Sequence, residues 1–206
     1  MRNRTLVLLG LLSPVLASHA GAAVPSPATS TVQACMVLCP MGDISFSVTV
    51  RDFANNPVAG STVVLDFGTC VGAYLCPFST NDPYILDLPT RTLRMTSGAN
   101  GTVTFPARVG GGCGAERVRI YADGVLLASR ILASPDQNGD GVVTTPDGVI
   151  LMAKIGGGDL SGDLDCSGTV TDDDVLVQGQ HGSHSCYGIV NPVQPRTWGA
   201  LKLHYR

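Results

Sequence analysis

The sequence predicts a mainly β fold with a small α module, in which an antiparallel β-sandwich is followed by a pair of loop–helix motifs. Short runs of alternating apolar and polar residues recur between Thr31 and Ser134, turn residues separate them at near-regular spacing, and a twelve-residue acidic pattern occurs twice between Asp136 and Asp174. Period-two alternation belongs to half-buried strands, and many such strands without a helical period indicate an antiparallel sandwich.

The chain opens with Arg2 and Arg4, an apolar run from Leu6 to Leu16, and small residues at Ser18, Ala20, Ala22 and Ala23. That layout predicts a cleaved signal peptide over residues 1–22 and a secreted or cell-surface protein. The apolar run is too short for a hydrocarbon core that needs about 20 residues, and no later segment is longer, so no transmembrane segment is expected. Residues 23–30, rich in Pro, Ser, Ala and Thr, read as a flexible leader.

Residues 31–134 carry the strands. Ile44, Phe46, Val48 and Val50 alternate with Ser45, Ser47, Thr49 and Arg51, and a turn follows at Asn55, Asn56, Pro57 and Gly60. Further strands are expected at Thr62 to Phe67, Arg91 to Thr96 and Thr102 to Ala107, with a turn at Asn100 and Gly101. A last pair, Val118 to Tyr121 and Val125 to Leu132, hinges on Asp123 and Gly124. The stretch VTVRDFANNPVAGSTVVLDF (Val48 to Phe67) with SGANGTVTF (Ser97 to Phe105) resembles bacterial immunoglobulin-like domains of the invasin type and the related carboxypeptidase-regulatory-like sandwich. Those families share a "D, turn, NPVAGA" hairpin and a "TDANGTVTF" hairpin, with Gly98 here in place of the second Asp. The resemblance implies a spacer, adhesion or carbohydrate-proximal unit.

Residues 135–187 carry the chemistry. Nine of the sixteen acidic residues fall between Asp136 and Asp174, with Lys154 the only base among them. Asp136, Asn138 and Asp140 alternate, Gly141 follows, and Asp147 closes the first stretch. Twenty-seven residues on, Asp163, Asp165, Ser167, Gly168 and Asp174 repeat it. Calcium takes six to eight oxygens at about 2.3 to 2.6 Å, and a tight loop supplies them from positions 1, 3 and 5, a carbonyl at 7, a water held at 9 and a carboxylate at 12. The spacing therefore nominates Asp136, Asn138, Asp140, Val142, Thr144 and Asp147 in one loop. In the other it nominates Asp163, Asp165, Ser167, Thr169, Thr171 and Asp174, so two Ca²⁺ ions are expected. Position 6 needs glycine for its sharp turn, supplied by Gly141 and Gly168. Mg²⁺ prefers fewer protein ligands and a stricter octahedron, which favours calcium.

Two loops in tandem, each with Asp at position 12 and each followed by a short apolar helix, resemble the type I dockerin module. The resemblance implies docking onto a cohesin domain of another protein through the tenth and eleventh loop positions, here Thr145 and Pro146 in one copy and Asp172 and Asp173 in the other. The helices are expected at Asp147 to Ile155, packing Val149, Ile150, Met152 and Ala153, and at Asp174 to Gln180, interrupted by Gly179. Mutual repulsion is severe in so acidic a segment, on the order of 4 kcal/mol per carboxylate pair about 4 Å apart at an effective dielectric near 20. Calcium is thus expected to fold the module.

Seven cysteines, all beyond residue 22, fit an oxidising compartment, and their odd count leaves at least one unpaired within the chain. Cys166, at ligand-free position 4, and Cys186, just past the second helix, are expected to pair. The connectivity of Cys35, Cys39, Cys70, Cys76 and Cys113 stays open. His181 and His184, with Cys186, read as the polar tail of a helix, and the glycine-rich GGGCG at Gly110 to Gly114 as a strand connection without the Lys-Ser/Thr of a phosphate loop. No arrangement supports nucleophilic catalysis, so no catalytic residues and no enzymatic activity are expected. A net charge of -3 with 13 Lys and Arg, none clustered, excludes a nucleic-acid surface. Residues 188–206 end in TWGALKLHYR, where Trp198 with Leu201, Leu203 and Tyr205 suggests a recognition or sorting element.

The expected function is that of a secreted, non-catalytic calcium-binding protein attached to a cohesin-like or other surface protein domain. The alternatives are a surface structural protein whose calcium only stabilises the carboxy-terminal module, and an accessory of polysaccharide degradation with glycan contact.

Overall fold

The computed structural model describes residues 23–189. The expected signal peptide, the cleavage region and the Trp198 tail lie outside the described residues. Among those residues, no helix is long and apolar enough to cross a membrane.

The alternating runs form strands. In chain order these are β1 (Thr31–Val32), β2 (Met36–Val37), β3 (Phe46–Thr49), β4 (Thr62–Asp66), β5 (Tyr74–Leu75), β6 (Ile85–Asp87) and β7 (Thr92–Thr96). Then follow β8 (Thr102–Phe105), β9 (Val109–Gly110), β10 (Cys113–Ala122) and β11 (Val125–Ala133). Two helices, α1 (Thr145–Lys154) and α2 (Asp172–Gln180), and a short pair, β12 (His184–Ser185) and β13 (Gly188–Ile189), complete the fold.

A six-stranded sheet, ordered β2-β11-β10-β4-β7-β6, faces a three-stranded sheet, β1-β3-β8. The facing sides supply one core: Phe46, Val48, Val103 and Phe105 from the small sheet, and Val63, Leu65, Leu93, Val118, Ile120 and Leu132 from the large one. Each large side chain so buried contributes about 1.5 to 3 kcal/mol before chain entropy is subtracted. On the outer face of the small sheet, hydroxyls pair across strands, Ser47 with Thr104 and Thr49 with Thr102, both at 3.0 Å. The Asp123–Gly124 hinge of the β10–β11 hairpin has both residues in the left-handed region, φ 47° and 82°. By contrast, β3 and β4 lie in opposite sheets, as do β7 and β8. The turns at Asn55–Gly60 and Ser97–Gly101 therefore carry the chain across the core, because the apolar faces they connect must meet each other.

The leader expected over residues 23–30 is held to the sandwich instead. Ser26 is fully buried and its N–H bonds to the Arg51 carbonyl, while the Thr29 and Ser30 hydroxyls donate to the Asp52 and Arg51 carbonyls. Edge-strand groups otherwise left bare are satisfied this way.

The carboxy-terminal module packs directly on the sandwich. Leu151, Leu164 and Val170 share a cluster with Val37 and Ala133 beside β2 and β11. Helix α1 starts and ends near the expected positions, but it buries Leu151 while Val149 and Met152 face outward. Helix α2 runs unbroken through Gly179 to Gln180. The GGGCG segment is the contact surface: a Cβ at Gly110 would collide with Asp136 Oδ2, and one at Gly114 with Asp159 Oδ1. Arg108 adds a polar staple, donating to both Asp82 oxygens and to the carbonyls of Pro77 and Cys186.

These two glycines should respond differently to Ala. The Gly110 methyl meets a fully buried carboxylate, so Gly110→Ala should cost about 1 to 3 kcal/mol, the usual range for overpacking. Asp159 has 46 % of its side chain exposed and can swing aside, so Gly114→Ala should cost less. Thermal unfolding of the two variants checks the order.

Candidate metal-binding loops

The two acidic stretches fold alike, residue for residue. Position 4 is left-handed in both, Gly139 at φ 71° and Cys166 at 64°, and so is position 6, Gly141 at 85° and Gly168 at 87°. The position-1 carboxylate accepts from the same amides in each copy. Asp136 takes Asp140 N–H and Gly141 N–H at 3.3 and 2.9 Å, while Asp163 takes Ser167 N–H and Gly168 N–H at 3.0 Å each. The position-12 carboxylate also repeats. Asp147 accepts from Asn138 and Thr144 N–H, and Asp174 from Asp165 and Thr171 N–H.

Thr144 and Thr171, nominated at position 9, are thereby the N-caps of α1 and α2. The position-12 Asp is residue N3 of each helix and closes a capping box, so one short side chain ends the loop and starts the helix. Positions 3 and 5 form local turns: Asn138 Oδ1 accepts Asp140 N–H, Asp140 Oδ1 accepts Val142 N–H, and Asp165 Oδ1 accepts Ser167 N–H. In the second loop the Ser167 hydroxyl lies 3.0 Å from the Thr169 carbonyl, placing nominated positions 5 and 7 side by side.

Asp136, Asp147 and Asp174 are completely buried and Asp163 is 7 % exposed. Among the described residues, none of the six loop aspartates is in an ion pair; the bases pair instead with Asp43, Asp66, Asp82, Asp87 and Asp159. Buried carboxylates are costly unless paired or metal-bound, and amide bonds offset only part of that cost. In the second loop, Asp163, Asp165 and Asp174 bring carboxylate oxygens within 4.8 Å of one another. That is the span across a cation with oxygens at about 2.4 Å, so the donor set fits calcium. The first loop, with Asn138 at position 3, brings no such trio of carboxylates together among the described residues.

The expected Cys166–Cys186 pair is not formed. Cys166 pairs with Cys35, Cys186 with Cys76, and Cys70 with Cys113. After α2 the chain crosses to the first loop, where Cys186 N–H bonds to the Gly141 carbonyl and Val143 N–H to the His184 carbonyl. Cys186 is thus carried away from the second loop and toward β5. Reciprocally, the chain after α1 returns to the second loop, with Gly156 N–H bonding to the Val170 carbonyl. This crossed pairing between copies left no mark in cysteine spacing.

Comparison with protein-family models, with curated proteins and with solved structures finds no match. The likeness to dockerin therefore rests on loop chemistry.

Burial, opposed by the Gly141 N–H bond and reinforced by the Asp147 charge, pushes the Asp136 carboxyl up to about 6. Burial raises Asp163 as well. With a folded value above the unfolded one, the ion-free protein draws stability from Asp136 at low pH and loses it as pH rises through about 6. A calcium ion held by Asp136 would compete with that proton. The increase in unfolding temperature on adding calcium should therefore be larger at pH 7 than at pH 5, and calorimetric scans at both pH values check it.

Proposed function

We propose that this chain is a secreted, non-catalytic calcium-binding protein whose duplicated loop–helix module attaches it to another protein, with the sandwich as spacer or adhesion unit. The observation that carries the reading is the set of six aspartates, three of them fully buried, that meet no base among the described residues, with those at positions 1 and 12 hydrogen-bonded alike in both copies. A divalent cation in each loop supplies the missing positive charge.

Exposure on the helices supports attachment. Val149, Met152 and Leu176 are 58 %, 52 % and 68 % exposed. Beside them the tenth and eleventh loop positions, Thr145, Pro146, Asp172 and Asp173, also face solvent. A dockerin-like module would present this face to a cohesin-like domain. The two copies differ there, so the two-fold equivalent surfaces are not interchangeable.

One observation favours a second reading, in which calcium only rigidifies a surface structural protein. Two disulfides and a shared apolar cluster fasten the module to the sandwich, an attachment a freely docking module does not need.

The two readings separate in a capture experiment with the full chain and the secreted and surface proteins of its source. Attachment predicts a partner retained in calcium, released by chelator, and lost in a Val149→Asp, Leu176→Asp double variant that still binds calcium. No calcium-dependent partner, or one indifferent to the double variant, would leave the structural reading standing.

A further inference from the structure

Outside both acidic loops, four side chains from distant parts of the chain aim at one point. Cys39 follows β2 and is fully buried, and Asp43 lies four residues on, past the turn closed by the Gly42 N–H to Cys39 carbonyl bond. His181 caps the end of α2 and His184 opens β12. Their imidazoles stand nearly perpendicular, at 79°, with centroids 5.1 Å apart, so both Nδ1 atoms turn inward. Nδ1 of His181 lies 3.3 Å from Nδ1 of His184, and these nitrogens lie 3.0 and 3.2 Å from Asp43 Oδ2. Cys39 Sγ is 3.6 Å from His184 Nδ1, and one donor atom from each of the four residues falls within 4.8 Å of the others.

We propose that Cys39, Asp43, His181 and His184 form a tetrahedral site for a borderline-soft divalent cation, zinc in the first instance, that fastens the end of α2 to the sandwich. The edges of the polyhedron carry the inference. Around zinc, bonds of about 2.0 to 2.1 Å to nitrogen or oxygen and about 2.3 Å to sulfur set tetrahedral edges near 3.3 Å for N···N and N···O and near 3.6 Å for S···N. The separations of 3.3, 3.0, 3.2 and 3.6 Å follow that series, sulfur edge longest.

Donor chemistry separates this site from the acidic loops. One thiol, two imidazoles and one carboxylate suit zinc, whereas calcium and magnesium select oxygen alone. Cys39 is also the one cysteine left unpaired when the other six form disulfides. A site holding it would protect a thiol from the oxidising surroundings that paired the rest. Two ligands come from the sandwich and two from the segment that ends in the Cys76–Cys186 bridge, so the ion would close the same seam as that disulfide. Neither loop needs to hold calcium for this site to form.

The test uses the full chain with its disulfides intact, stripped by chelator, resaturated with calcium and titrated with Zn²⁺ and separately with Co²⁺. The expected result is one tightly held zinc per chain by native mass spectrometry, and a cobalt form with tetrahedral visible bands and a sulfur-to-metal charge-transfer band. A His181→Asn, His184→Asn double variant, altered at positions whose side chains are only 15 % and 14 % exposed and replaced by a smaller polar residue, should keep its disulfides and calcium content but lose the zinc and the band. Cys39→Ser should lose the sulfur band, and Asp163→Ala should leave zinc unchanged. If the wild-type chain binds no zinc, if the double-histidine variant retains it, or if the cobalt spectrum is octahedral without a sulfur band, the site does not exist.

Discussion

The close seat of the first acidic loop on the glycine edge of the sandwich is the contact on which the rest depends. Asp136 Oδ2 occupies space that any Cβ at Gly110 would take, and Gly111 N–H bonds to the Asp136 carbonyl. From that point the chain enters the first loop, and both disulfides that reach the module, Cys35–Cys166 and Cys76–Cys186, fix how the two loops lie on the sheets. Cross-links spanning 131 and 110 residues each remove about 5 kcal/mol of unfolded-chain entropy in the loop-closure model. Leu151, Leu164 and Val170 then complete a core they could not build alone, using Val37 and Ala133.

That arrangement changes what calcium has to do. A detached acidic module with few apolar residues would depend on the ion to fold at all. Here two disulfides and a shared apolar cluster also hold the module, and backbone N–H groups donate to Asp136, Asp147, Asp163 and Asp174. On the proposed reading the cation neutralises buried charge in the loops, and by binding only the folded form it adds stability by mass action.

Much of this was legible in the residues. Alternation placed β3, β4, β7, β8, β10 and β11, since apolar side chains at every second position have one place to go. The spacing of Asp, Gly and Asp in the loops located both position-6 turns and put both helix starts two residues late, at the aspartates that close the capping boxes one turn inside each helix. What stayed hidden was long-range. The pairing of Cys166 with Cys35 depends on where the second loop lands on β2, and that of Cys186 on the chain crossing back to the first loop. The outward turn of Val149 and Met152 follows from which side of α1 meets the sandwich, and Leu151 alone fills that side. His181 and His184 looked like a polar helix end because their partners, Cys39 and Asp43, lie about 140 residues earlier.

The central claim is that both acidic loops hold calcium, and counting ions tests it most directly. Native mass spectrometry of the disulfide-intact chain in dilute calcium should show two ions bound, Asp136→Ala and Asp163→Ala should each retain one, and the double variant none. A wild-type chain that carries no calcium under these conditions, or single variants that still carry both ions, would contradict the account.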